Sequence, residues 1–349
     1  MTARAAIAAM TAYTLELREA EIKLNQNESP FDFPLKAEVL ARVAQRAWNR
    51  YPDFESSLLR EALAKAYGYT PDNILVGNGS NDLLAAAIAT FVGPGTPVVL
   101  ARPTFALYEK LVTIAGGMPV PIDVDFASGE LPLDEMTRAR SAVVIVCSPN
   151  NPTGSVLPDG GIDQLLATGA TVLFDRAYGD FALDELPPLH DRLVTFSTFS
   201  KAWGLAALRV GWLASTAATC REIRKVKLPY SLNIISETAA ALALENRELR
   251  DANVARIIAE RERMLAAMRA MPGVTVFPTR ANFIAFRSAA AFEDFLERGI
   301  LLRNYADFLR VSVGTREEND AFLDALSEGG RPVRLTAGGR DVRPPRSLA

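Results

Sequence analysis

From residue 74 to residue 214, short apolar, β-branched runs alternate with stretches of helical period, and this alternation constrains the fold more than any other feature. The runs cover 74–77 (ILVG), 97–101 (PVVLA), 120–124, 142–147 (AVVIVC), 171–174 (TVLF), 193–196 and 210–214. Helical stretches cover 81–91, 105–115, 133–140 and 161–167 between them. Several runs are continuously apolar, the pattern of a strand covered on both faces. Strand and helix in alternation predict βαβ units, and so an α/β fold with a mostly parallel sheet of seven strands between helices.

The character changes after about residue 230. A helical stretch rich in Ala, Glu, Arg and Leu runs over 236–271, with Asn246 and Asn253 as candidate breaks, and Pro272-Gly273 ends it. Short strands (VTVF, NFIAF, LRVSV) and two helical segments follow, which read as a smaller α+β domain. The expected organisation is a segment 1–30 that joins the small domain, a large domain over 31–235, the small domain over 236–330, and a flexible Gly-, Pro- and Arg-rich tail over 331–349.

Scarce residues narrow the chemistry. The 349 residues include one histidine, His190, and two cysteines, Cys147 and Cys220. That supply excludes a multi-histidine metal site and a disulfide framework. His190 lies in a loop, PPLHDRLVTF, outside any motif, so acid–base work must fall to another group. The net charge of −3 gives no basic excess for a nucleic-acid partner. No apolar run approaches the roughly 18 residues of a membrane span, and the N-terminus lacks the core of a signal peptide. The expected location is the cytoplasm.

Four motifs lie at the ends of expected strands, where parallel α/β sheets bind ligands. Ser148-Pro149-Asn150-Asn151-Pro152-Thr153-Gly154 follows AVVIVC and cannot continue a strand. Asp175 closes TVLF with Tyr178 three residues on; a carboxylate there needs a partner, although an Asp also caps helices. Thr198-Phe199-Ser200-Lys201 follows LVTF, with Arg209 eight residues after the lysine. A desolvated lysine is an amine nucleophile, and hydroxyls with an arginine form a phosphate cradle. Gly77-Asn78-Gly79-Ser80-Asn81-Asp82 turns into a helix and offers backbone N–H groups to an anion. Each motif alone is also ordinary turn or cap structure. Together they supply what pyridoxal phosphate requires, a Schiff-base lysine and an acid for the pyridinium nitrogen.

SPNNPTG, the D-x-x-Y strand end and the lysine segment with its arginine resemble the fold-type-I pyridoxal-phosphate aminotransferases. LNQNESP (24–30), RYPD (50–53), VGNGSND, RPTFALY, FSKAWGLAALRVGW and LLRNYADFLRVSVGTREEN are similar to the histidinol-phosphate aminotransferase subfamily, over about residues 13–328. The resemblance implies that Lys201 binds the cofactor covalently and shuttles a proton. It implies that Asp175 holds the pyridine nitrogen protonated, that Asn151 and Tyr178 bond the 3′-oxygen, and that Tyr108 stacks on the ring. Ser80, Asn81, Thr198, Ser200 and Arg209 would cradle the phosphate, and Tyr51 would reach the phosphate in a neighbouring subunit, implying a homodimer with shared sites. For small-molecule substrates, Arg310 matches a carboxylate clamp, Arg303 and Tyr13 match positions that meet a substrate phosphate, and Asn27 matches a segment that closes over the site.

The implied reaction is transamination between histidinol phosphate and 2-oxoglutarate, in histidine biosynthesis. Three positions depart from the pattern: Arg176 where glutamate is usual, Asn81 where an acid is common, and Phe105 where tyrosine is frequent. An aromatic aminotransferase and a phosphothreonine-type decarboxylase use the same cofactor and stay open as alternatives. A regulator with a degenerate cofactor site would need an appended DNA-binding region, for which the sequence before residue 13 and after 330 leaves no room.

Overall fold

The computed structural model describes residues 2–12 and 18–328. Tyr13 and the tail expected over 331–349 lie outside the described residues. The seven runs form one sheet: Ile74–Asn78 (β1), Pro97–Arg102 (β2), Met118–Asp123 (β3), Val143–Cys147 (β4), Thr171–Asp175 (β5), Leu193–Thr198 (β6) and Val210–Ala214 (β7). Their spatial order is β1-β7-β6-β5-β4-β2-β3. β7 is antiparallel to both its neighbours, and the other strands are parallel to one another.

Residue chemistry explains the order. All five residues of β4 are buried, and so are four of five in β5, as central strands of a two-sided sheet must be. Alternate residues of β4 serve opposite faces: Val144 and Val146 pack with Phe174, Met136 and Leu165, while Val143, Ile145 and Cys147 join the larger core on the other side. β3 carries Pro119 and Pro121, which cannot donate to a ladder, and it lies at the sheet edge.

The helical stretch 236–271 is two helices, Ile234–Glu245 and Arg247–Arg269, with Asn246 non-helical between them (φ −122°, ψ 52°). Asn253 lies inside the second helix without interrupting it. The first is buried along nearly its whole length and packs on helices Lys36–Ala44 and Ser57–Tyr67.

The chain then forms a four-stranded antiparallel sheet from Thr275–Val276 (β8), Phe283–Arg287 (β9), Arg303–Tyr305 (β10) and Phe308–Ser312 (β11), in the order β10-β11-β9-β8. The N-terminal segment reaches this part of the chain, because Ile22 and Lys23 pair in parallel with Ile300 and Leu301. One stretch of N-terminal chain therefore runs from this separate two-stranded pair to the Gln26 carbonyl that meets Lys201 beyond the end of β6.

Candidate active site

The C-terminal ends of β4, β5 and β6, the turn after β1 and the N-terminal segment enclose a cavity of about 260 Å³. Lys201, Asp175, Asn151, Tyr178, Tyr108, Ser80, Asn81, Thr198, Ser200, Arg209, Asn27, Arg303 and Arg310 all line it. Tyr51, expected at a neighbouring subunit's site, and His190, expected in a loop outside any motif, are not part of it. Tyr51 is 82% exposed, stacked on Tyr230 at 4.7 Å between ring centroids. His190 sits in a loop, where its Nδ1 accepts the Arg192 amide at 3.0 Å.

Lys201 follows β6 by three residues, and its Nζ donates to the Gln26 carbonyl at 2.8 Å. Burial, helped by the positive charges of Arg310 and Arg209, pulls its amine down to about 7. A good fraction is therefore unprotonated near neutrality, the form that attacks a carbonyl carbon.

Asp175 ends β5 and is buried. Its Oδ2 accepts from the Tyr108 hydroxyl at 2.8 Å, and its Oδ1 accepts the Ala177 amide at 2.9 Å. Burial raises its carboxyl, and these two donors work against that rise. Arg176, next along the chain, is also buried and donates to the Asp184 carbonyl at 2.7 Å. Its departure from the family pattern leaves the carboxylate's own contacts intact.

The two asparagines of SPNNPTG divide their work. Asn150 is fully buried and knots the turn, donating to the Pro103 carbonyl at 3.0 Å and to Thr153 Oγ1 at 2.9 Å, and accepting from Thr104 at 2.6 Å. Asn151 faces the cavity, where its Oδ1 accepts from Arg310. Tyr178 accepts from Asn27 Nδ2 at 3.0 Å, and burial pushes its phenol well up. Asn27 is tied in place from the other side, its backbone N–H donating to Ser312 Oγ at 2.8 Å and its carbonyl accepting from Asn282 at 3.2 Å.

The expected anion cradle draws on backbone as much as on side chains. Ser80 and Asn81 open helix Ser80–Phe91, where the first amide N–H groups have no carbonyl within the helix and the dipole is positive. Replacing the usual acid by Asn81 costs nothing in backbone donors. Thr198 Oγ1 donates to Ser200 Oγ at 3.0 Å, and Arg209 Nη1 donates to the same Oγ at 3.2 Å. Two glycines make room. A Cβ on Gly79, at φ +78°, would fall 2.7 Å from Arg209 Nη2, and a Cβ on Gly211 of β7 would fall 2.1 Å from the Ser80 nitrogen. Backbone cannot give way as a side-chain tip can. Gly211→Ala is therefore expected to cost about 3 kcal/mol and to distort the anion site. Denaturant unfolding of this variant with and without added cofactor should show lower stability and a smaller stabilisation by the cofactor.

Arg303 and Arg310 are directly opposed across the antiparallel pair β10–β11, so their side chains leave the same face. Arg310 is buried, donates from Nη2 to the Asn25 carbonyl at 2.7 Å, and lies 5.1 Å from the Phe283 ring centroid. Its Nε is buried without a partner. Among the described residues Arg303 has no carboxylate partner, and its guanidinium lies 5.7 Å from the Tyr305 ring centroid. Gln26, Asn25, Thr104, Cys147 and Tyr305 also border the cavity and escaped the motif reading. LNQNESP and RPTFALY contain the first three, but nothing in residue type marks a backbone carbonyl as a partner for lysine or arginine.

A nucleophilic amine, a buried carboxylate, two groups suited to a phenolic oxygen and an anion cradle thus converge on one cavity of a doubly wound sheet, the equipment of an enzyme that joins amines to carbonyls with a bound phosphate cofactor. The family model for aminotransferases of class I and II matches residues 19–326, and the chain belongs to that family. It is 38% identical to the histidinol-phosphate aminotransferase of Thermococcus gammatolerans over 89% of this chain and 93% of that one. It is 36% identical to that of Chlorobaculum tepidum, over 89% and 95%. Among solved structures, the histidinol-phosphate aminotransferase of Sinorhizobium meliloti in complex with pyridoxal-5′-phosphate superposes with a TM-score of 0.82 at 25% identity, covering 93% of this chain and 96% of that one. Among the described residues, no helix is long and apolar enough to cross a membrane and no cluster of potential metal ligands occurs.

Proposed function

We propose that the chain is a pyridoxal-phosphate-dependent aminotransferase that exchanges the amino group between histidinol phosphate and 2-oxoglutarate, in histidine biosynthesis. The observation that carries this reading is the convergence of Lys201, Asp175 and the Ser80–Arg209 cradle on the cavity that Arg303 and Arg310 border. The aminotransferases named for histidinol phosphate that resemble it over some nine-tenths of its length support the substrate.

Bound in the cavity, the cofactor supplies an electron sink for the substrate's α-carbon. Lys201 would hold it through Nζ, and its amine would move a proton at that carbon. The Gln26 carbonyl, 2.8 Å from Nζ, keeps the free amine close to the reaction. Asp175 would give the ring nitrogen its counter-charge, Asn151 and Tyr178 would bond the ring oxygen, and the ring of Tyr108 would stack on the cofactor. The first-turn amides of Ser80 and Asn81, with Thr198, Ser200 and Arg209, hold the phosphate.

The opposed arginines suit two unlike partners. Glutamate brings two carboxylates, whereas histidinol phosphate has a phosphate and no carboxylate. Arg310 presents a fork to a carboxylate; Arg303, together with Tyr13, meets the substrate phosphate. Asn27 and its segment close over the bound substrate.

Adding histidinol phosphate alone to the loaded protein should convert the cofactor to its amino form, and the absorption spectrum reports this. Much faster conversion by phenylalanine would place the substrate among aromatic amino acids. Release of carbon dioxide without need of an oxo-acid would mark a decarboxylase. Arg303→Ala is expected to lower the efficiency with histidinol phosphate by about 10- to 100-fold, with little effect on dephosphorylated histidinol. Rate measurements with both amines check it.

The proposal extends to a cytoplasmic homodimer with shared sites, in which Tyr51 reaches its partner's cofactor phosphate. Tyr51, Tyr230 and Phe54 form an exposed aromatic cluster, and contiguous apolar surface is where soluble chains associate. In the domain reading, segment 1–30 joins the small domain, 236–330, and the large domain is 31–235. The pairing of Ile22 and Lys23 with Ile300 and Leu301 supports it, whereas Arg4, which donates to the Ile114 carbonyl, and helix Ile234–Glu245, which packs on Lys36–Ala44 and Ser57–Tyr67, contact the large domain. Sedimentation equilibrium of the wild type and of Tyr51→Ala tests the assembly.

A further inference from the structure

Tyr108 lies in the first turn of helix Leu107–Ala115 and is only 1% exposed. Its ring meets Phe105 edge-on at 5.5 Å, and its hydroxyl donates to Asp175 Oδ2 at 2.8 Å. Oδ1 of the same carboxylate takes the Ala177 amide at 2.9 Å. Among the described residues Tyr108 is the one side chain that donates to Asp175. We infer that the Tyr108 hydroxyl is a positioning group, which holds the Asp175 carboxylate ionised and oriented toward the cofactor's ring nitrogen, a task separate from the stacking of its ring.

The inference rests on the pyridoxal-phosphate reading above. It follows from the setting of the carboxylate. Asp175 is buried at a strand end beside the Cys147 thiol and the Tyr178 phenol, neither of which offers it positive charge. Burial favours its neutral form, and a neutral acid gives a pyridinium no counter-charge. Two donors oppose that tendency. The Ala177 amide is fixed by the backbone, whereas the phenol is a side-chain choice. Burial and the adjacent negative charge hold that phenol far above its ordinary range, so it remains a donor at every pH of interest. A hydrogen bond to a charged acceptor is among the stronger kinds.

Two variants separate ring from hydroxyl. Tyr108→Phe keeps the ring and removes the donor, and Tyr108→Leu removes both. Each full-length protein is loaded with pyridoxal phosphate, its visible absorption is titrated against pH, and its cofactor dissociation constant is measured. With Asp175 less firmly ionised, the ring nitrogen carries less positive charge, and the conjugated Lys201 nitrogen keeps its proton to higher pH. Tyr108→Phe is therefore expected to move the absorption midpoint up by about half a pH unit or more and to weaken cofactor binding roughly tenfold. Tyr108→Leu should bind more weakly still. A Phe variant with the wild-type midpoint and affinity, beside a Leu variant that binds poorly, would overturn the inference and leave stacking as the only role. A wild-type protein with no visible band and no borohydride-fixed adduct on Lys201 overturns the cofactor reading itself, and this inference with it.

Discussion

Lys201→Ala is expected to lower transamination by about ten-thousandfold and to leave no borohydride-fixed cofactor on the protein. The variant should remain folded, because among the described residues the side chain's one hydrogen bond is to the Gln26 carbonyl, and a truncation toward the cavity opens no void in the core. Far-ultraviolet circular dichroism and mass spectrometry of the reduced protein separate loss of chemistry from loss of fold. An adduct of unchanged yield in the variant would remove Lys201 from its role. The amine's value of about 7 adds a pH signature. Only the unprotonated amine attacks, so covalent capture of pyridoxal phosphate by cofactor-free protein should speed up as pH rises through about 7 and level off above it. An ordinary exposed lysine would go on accelerating toward pH 10. The shift has a stability cost with a definite sign. The folded protein binds this proton less tightly than the unfolded chain does, so the charged lysine destabilises the fold most below pH 7, and stability recovers as pH rises from there toward the unfolded value.

How much of this could be read from the residues depends on what kind of contact a residue makes. Continuous apolar runs such as VVIVC and TVLF are legible as buried strands because no polar face interrupts them, and Pro119 and Pro121 assign their strand to an edge. Lys201, Asp175 and Asn151 are legible at the cavity because side-chain type marks them and each ends or follows a strand, whereas Arg209, just before β7, is legible from its spacing to the lysine. Position within a motif is less legible. SPNNPTG shows two asparagines, and only packing divides them into a buried knot at Asn150 and a cavity-facing amide at Asn151. The partners of Lys201 and Arg310 are the carbonyls of Gln26 and Asn25, which any residue could supply. Asn246 and Asn253 are the same residue type seven positions apart, yet only Asn246 ends a helix, because only there do the helices on either side pack against different neighbours. Tyr51 is the limiting case: its expected role needs a second chain, and within one chain it is simply an exposed ring on Tyr230.

Asp175→Asn should separate function from stability in opposite directions. On the functional side the loss is large. Asn offers an amide where the pyridine nitrogen needs an anion, so the ring is no longer held protonated and the electron sink weakens. A fall of about a thousandfold or more in the rate of either half-reaction is expected, on the scale of losing a preorganised electrostatic group. Cofactor retention should fall with it. On the stability side the sign reverses. The carboxyl of Asp175 is raised in the folded chain by burial, so the fold holds that proton more tightly than the unfolded chain does. Its favourable contribution is complete below the unfolded value and is lost as pH rises through the folded one; above both, the buried charge is a net cost. Asn carries no such charge and fits the same contacts. Its Oδ1 can accept the Ala177 amide, and its Nδ2 can donate to a Tyr108 hydroxyl that has turned to accept. The cofactor-free Asn variant should therefore melt at or above the wild-type temperature at neutral pH, and the gap should close as pH falls into the carboxylate range. Thermal unfolding of cofactor-free proteins across that range measures both arms. A variant that melts far below wild type at neutral pH would mean that the charge stabilises the fold, and the functional loss could no longer be credited to the ring nitrogen alone. The expected pattern is that of an active site whose ionised acid is retained at a cost to the fold, because the cofactor needs it.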